Sequence, residues 1–168
     1  GGTIYVVGEQ DANTLVETIP ASSILNNASG GYDIDISGYR DISLVTYDMV
    51  LAANDAVRMR FSDDGGTTFY NGAADYIIKT ENGSNEAQGP RDFAYTAGDQ
   101  PTNANHSFDV HFHGVDVPYP TLTRNADYEE NWKFNNMHQH LVPIDTVNMY
   151  GVVVSGSTGT LYVVGRSL

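Results

Sequence analysis

Two pairs of histidines come closest to chemistry in this chain: His111-Phe112-His113 and His138-Gln139-His140. In a β-strand, residues two apart share a face, so each pair would present two imidazoles together. If the two strands are neighbours, four ring nitrogens could meet around Zn, Ni or Cu. Asp109 falls on the same face as His111 and could add a ligand or orient a ring. The competing reading is that all four are polar residues on a solvated or intersubunit sheet face. At low pH they would add positive charge to a very acidic protein, with an effect on assembly.

Oxygen ligands come next. Asp33, Asp35, Asp41 and Asp48, and separately Asp63 and Asp64, could bind calcium, although the EF-hand spacing is missing. Asp63 and Asp64 are better explained as turn formers. Glu129-Glu130 and the strand aspartates are candidates for the carboxylate pair of a glycoside hydrolase, but that chemistry also needs a cleft. No GxSxG and no HExxH is present. The chain has no cysteine, which excludes disulfides, thiolate metal sites and cysteine nucleophiles. A Ser/His/Asp triad does not follow from residue types alone. The expectation is therefore a non-catalytic protein that requires no cofactor, with a divalent metal at the histidine pairs or calcium at the acidic loops as the alternatives.

Aromatic residues are the candidates for binding. Tyr70, Tyr95, Tyr119 and Tyr128 sit in loop-like contexts, and Trp132 follows an acidic turn. Such rings give contact area and a polar tip at low entropic cost, which suits sugar rings and binding surfaces generally. The alternative is that the tyrosines pack on sheet faces and Trp132 is core.

The elements that must position these residues read as strands. Tyr32 to Ile36 alternates polar and apolar; Val57, Met59 and Phe61 oppose Arg58 and Arg60; Phe108, Val110 and Phe112 oppose Asp109, His111 and His113. Further strands are expected at 3–7, 14–19, 41–51, 76–80, 132–142, 144–154 and 160–164. Only 22–28 and 127–132 could make a helical turn, and neither would be stable alone. About nine or ten short strands without a helical period predict an all-β antiparallel sandwich of jelly-roll type. Asp63-Asp64-Gly65-Gly66 predicts a hairpin turn. Polar segments 81–105 and 116–131 read as long loops carrying recognition.

The 168 residues fit one domain with an ordinary core. A formal net charge of -13 repels phosphate backbones and anionic membranes, so neither nucleic-acid binding nor membrane insertion is expected. One echo bears on domain organisation. Gly2-Thr3-Ile4-Tyr5-Val6-Val7-Gly8 reappears as Gly159-Thr160-Leu161-Tyr162-Val163-Val164-Gly165. Residues 1–8 are thus an edge strand or the last strand of a preceding repeat, and 9–168 the β-sandwich domain proper.

Two segments carry a resemblance. Ile36 to Val45, continuing into Arg58-Met59-Arg60-Phe61-Ser62-Asp63-Asp64-Gly65-Gly66, resembles the central strand and following hairpin of phage and prophage virion-surface domains, of tail-fibre or capsid-fibre type. Pro143 to Tyr150, followed by Gly159 to Gly165, is similar to the closing hairpin of those domains. Together the two span about a third of the chain. The resemblance implies a jelly-roll-like sandwich in a homotrimer, on the virion surface or otherwise extracellular. Its partners would be host surface glycans or proteins and other virion proteins, and no catalytic set carries over. A secreted carbohydrate-binding module, calcium-dependent or not, is the alternative. A polysaccharide-degrading enzyme is the second alternative.

Overall fold

The structure, a computed structural model, describes residues 13–25, 30–50, 57–82, 85–91, 94–95, 105–116, 121–126, 132–138, 142–151 and 157–167. Twelve strands occur among them. They are β1 (Thr14–Pro20), β2 (Tyr32–Asp35), β3 (Tyr39–Val50), β4 (Arg58–Ser62), β5 (Tyr76–Asn82), β6 (Asn85–Arg91), β7 (Ala94–Tyr95), β8 (Asn105–His113), β9 (Thr121–Ala126), β10 (Trp132–His138), β11 (Thr146–Tyr150) and β12 (Thr160–Ser167). The one helix among the described residues, α1 (Ala21–Leu25), overlaps the single turn expected at 22–28. No helix among the described residues is long and apolar enough to cross a membrane.

The strands form two antiparallel sheets, as expected for an all-β sandwich. The large sheet has eight strands in the order β1-β12-β3-β8-β9-β10-β5-β6, and the small sheet has four in the order β2-β11-β4-β7. From β1 to β5 the chain changes sheet at every strand. The Asp63–Gly66 turn therefore carries the chain from β4 of the small sheet towards β5 of the large one. Gly65 and Gly66 supply the positive φ it needs, at 70° and 79°. The expected closing hairpin is likewise divided: β11 pairs with β2 and β4, while β12 pairs with β1 and β3. Segments 81–105 and 116–131 contain three further strands, β6, β7 and β9. Their polar sequences hide the strand pattern that pairing with β5, β4 and β8 enforces.

Alternation places the core between the sheets. Ile42 and Leu44 of β3, Val110 and Phe112 of β8, and Leu161 and Val163 of β12 are all buried on one side. Met59 and Phe61 of β4 and Val147 and Met149 of β11 meet them from the small sheet. Phe61 joins the layers, edge-on to Phe112 at 5.8 Å and to Tyr76 at 5.4 Å. The Tyr76 hydroxyl is satisfied inside this core: it accepts from the Phe61 N–H at 2.9 Å and donates to the Tyr70 carbonyl at 2.9 Å.

The C-terminal half of the sequence echo forms β12, an interior strand. Gly159, just before the strand, and Gly165, within it, both have structural reasons. Gly159 has φ 101°, and a Cβ there would lie 2.5 Å from the Asp48 carbonyl oxygen. At Gly165 a Cβ would lie 2.3 Å from the Tyr39 ring. The other half, residues 2–8, lies outside the described residues.

Candidate functional site

The outer face of the large sheet is set by the same alternation that buries its inner face. Cα pairing puts Val164, Ser43, His111, Thr123 and Asn135 in one row across β12, β3, β8, β9 and β10. Arg166, Asp41, His113 and Thr121 form the next row, and Tyr162, Val45, Asp109 and Asn125 the row on the other side. Directly opposed residues in such rows have Cβ atoms about 5 Å apart, close enough for side chains to bond.

Polar side chains of these rows do bond. Ser43 Oγ and His111 Nδ1 are 2.7 Å apart, and His111 Nε2 and Asp109 Oδ2 are 2.9 Å apart. Asp41 accepts from the Arg166 guanidinium and from the Gly114 N–H, and its Oδ1 lies 3.7 Å from His113 Nδ1. The His111 and His113 rings stack with centroids 6.1 Å apart. Asn13, Asp41, Ser43, His111, His113, Val164 and Arg166 line an open depression of about 270 Å³. Because β12, β3 and β8 each bury their other face, the depression stands on strands anchored in the core.

Among the described residues, His138 is not brought beside His111 and His113. β9 separates β8 from β10, so their strands are not neighbours. The backbone of His138 pairs with buried Tyr76, and Thr121 pairs with both His113 and Met137. His138 therefore has the parity opposite to that of His111 and His113, and His140 lies outside the described residues. Both ring nitrogens of His111 are already engaged. Among the described residues, no group of three or more His, Asp or Glu is arranged to hold a metal ion.

The acidic candidates are dispersed as well. Asp33 accepts from Asn148, Asp35 from the Ser37 N–H, Asp41 from Arg166, and Asp48 from the Thr160 N–H. Asp64 behaves as a turn former. It accepts from the Thr68 hydroxyl and N–H and from the Ser62 hydroxyl, and these bonds hold its carboxyl down at about 2.

The three aromatic candidates among the described residues lie on separate segments. Tyr70 follows the Asp63–Gly66 turn and packs against the core. Burial, followed by a hydrogen bond to Asp63, pushes its hydroxyl up to about 12. Tyr95 lies on β7, its backbone opposite Arg58, and Trp132 begins β10, its backbone opposite Asn82. Tyr119, Tyr128 and Glu129-Glu130 lie outside the described residues.

Sequence reasoning marked Asp109, His111 and His113 as sharing a face, and marked Asp41 as an acidic residue. It missed Ser43, Arg166 and Asn13. Ser43 and His111 are 68 positions apart. Only the register of β3 against β8 brings them together, and no local spacing encodes that register. No protein-family model matches the chain, and comparison with curated proteins and with solved structures finds no match.

Proposed function

We propose that this chain is a surface adhesion domain: a jelly-roll-type binding module displayed on a virion or another extracellular surface, carried in a homo-oligomer. It holds a host glycan or protein on the outer face of its large sheet. The observation that carries the reading is the preformed polar depression on β12, β3 and β8, lined by two histidines, Asp41, Arg166, Ser43 and Asn13. A rigid floor with convergent donors and acceptors suits a hydroxyl-rich ligand, because little ordering entropy is lost on binding. The strongly acidic chain fits a protein–sugar or protein–protein contact better than a nucleic acid.

Glycan-array binding tests the proposal. Wild-type protein is expected to bind a small set of glycans, and Arg166→Ala and His113→Ala to lose that binding while keeping the β-sheet circular dichroism. Binding that survives both substitutions would remove the depression from the reading. Mass in solution tests the assembly: a strict monomer at micromolar concentration counts against the fibre-like oligomer.

A further inference from the structure

Ser43, His111 and Asp109 form one hydrogen-bonded chain, and its direction follows from elementary chemistry. A carboxylate has no proton to give, so the 2.9 Å contact between Asp109 Oδ2 and His111 Nε2 requires the proton on Nε2. In the neutral imidazole, Nδ1 then carries the lone pair. The 2.7 Å contact must therefore have the Ser43 hydroxyl donating to Nδ1. A serine hydroxyl hydrogen-bonded to a base that a third group orients is the arrangement of an activated nucleophile. The ring is turned relative to the Ser-His-Asp triad of the serine proteases, where Nε2 faces the serine. Either imidazole nitrogen can accept the proton.

The placement suits the same role. Ser43 and His111 line the depression, while Asp109 stands behind His111, away from it. One oxygen of Asp109, Oδ1, is buried without a hydrogen-bond partner among the described residues. The other, Oδ2, contacts the ring at 2.9 Å, where it can stabilise the imidazolium that proton transfer creates. Arg166 and Asn13 also line the depression, and in the proposed reaction their N–H groups are the donors available to a developing oxyanion.

We infer that Ser43 is a nucleophile towards carboxylic esters with a small acyl group. Its Oγ attacks the carbonyl carbon while the hydroxyl proton passes to His111 Nδ1. The carbon–oxygen bond to the alcohol breaks, and the alcohol leaves with that proton. Water then attacks the acyl-Ser43 ester, giving its proton to His111, which returns it to Ser43 Oγ as the acid departs. Asp109 is a positioning residue. This activity goes beyond the adhesion reading and does not depend on it, since a reactive serine needs no glycan.

The test treats the full chain with a small alkyl fluorophosphonate and, separately, with p-nitrophenyl acetate. One phosphonyl adduct per chain is expected by intact mass, mapped to Ser43. Labelling should be absent in Ser43→Ala and at least ten-fold slower in His111→Ala and Asp109→Asn. For Asp109, ¹⁵N spectra add a readout that a purely structural role would not move: the Nε2–H tautomer of His111 should dominate in wild type and be lost in Asp109→Asn. No adduct on the wild-type protein, or one elsewhere than Ser43, overturns the inference. Equal labelling of wild type and His111→Ala overturns it too. An adduct without ester turnover keeps the nucleophile and overturns the hydrolytic step. Because the reagents are not sugars, the result is separable from the glycan-array outcome.

Discussion

On the outer face of the small sheet, Asn148 is fully buried and every polar atom of its side chain is used. Its Oδ1 accepts from Arg60 at 2.9 Å, and its Nδ2 donates to the Gly30 carbonyl at 2.6 Å and to Asp33 at 2.7 Å. Arg60 lies over the Tyr150 ring at 4.5 Å and the Phe69 ring at 5.5 Å. The outer face of the large sheet has polar residues of similar kinds in a different state. There His111 and Asp109 are 36% and 39% exposed, and Asp109 Oδ1 lacks a partner among the described residues. One face locks a loop and an arginine onto the sheet. The other keeps its histidine and aspartate side chains part-exposed beside an open depression. Burial makes the difference: a buried amide left unsatisfied costs stability, whereas half-exposed groups can exchange protein partners for water or a ligand.

Removing one group from each face measures that difference. Asn148→Ala leaves Arg60 and Asp33 short of hydrogen bonds and should cost about 3 kcal/mol, since bonds to charged groups contribute about 1.5–3 kcal/mol each. Chemical denaturation would show it as a lower midpoint at unchanged slope. A loss below about 1 kcal/mol would mean that Asn148 does not hold this face together.

The platform of the large sheet can be disturbed without touching its polar groups. Gly159→Ala puts a Cβ against the Asp48 carbonyl in a left-handed conformation. It should cost about 1–3 kcal/mol by thermal or chemical unfolding. An unchanged protein would show that the approach of β12 to β3 there is loose.

The Asp64 turn gives a pH-dependent counterpart. Its carboxyl is held at about 2, below the ordinary 3.8, mainly by Thr68 and then Ser62. A depressed folded-state value means that the contribution is complete above the unfolded value. It is lost as pH falls from about 4 towards 2. A carboxyl NMR titration of Asp64 should have its midpoint near 2 and move up towards the ordinary value in Thr68→Val. A wild-type midpoint near 3.8 would remove the turn's hydrogen bonds from the account.

The smallest effect is expected at the depression itself. His111→Ala should change stability by no more than about 1 kcal/mol, because exposed ion pairs and hydrogen bonds contribute little. A loss as large as that of Asn148→Ala would mean that the two faces are equivalent and the depression is structural.

Much of this was legible in the chain before folding. Period-two alternation in 57–61 and 109–113 determined which residues face the core, and it put Asp109, His111 and His113 together on the other side, because strand geometry leaves two directions only. Asp63-Asp64-Gly65-Gly66 determined a turn, through carboxylate hydrogen bonds and glycine φ. Tertiary structure decided the rest. Polar stretches such as Asn85–Arg91 became strands because β5 offered them an edge to pair with. Ser43 met His111, and His138 took the opposite parity, because register is set by burying one face of a whole strand against a core assembled from distant segments. The residues that could do chemistry were visible in the sequence, but which of them touch was decided only by that register.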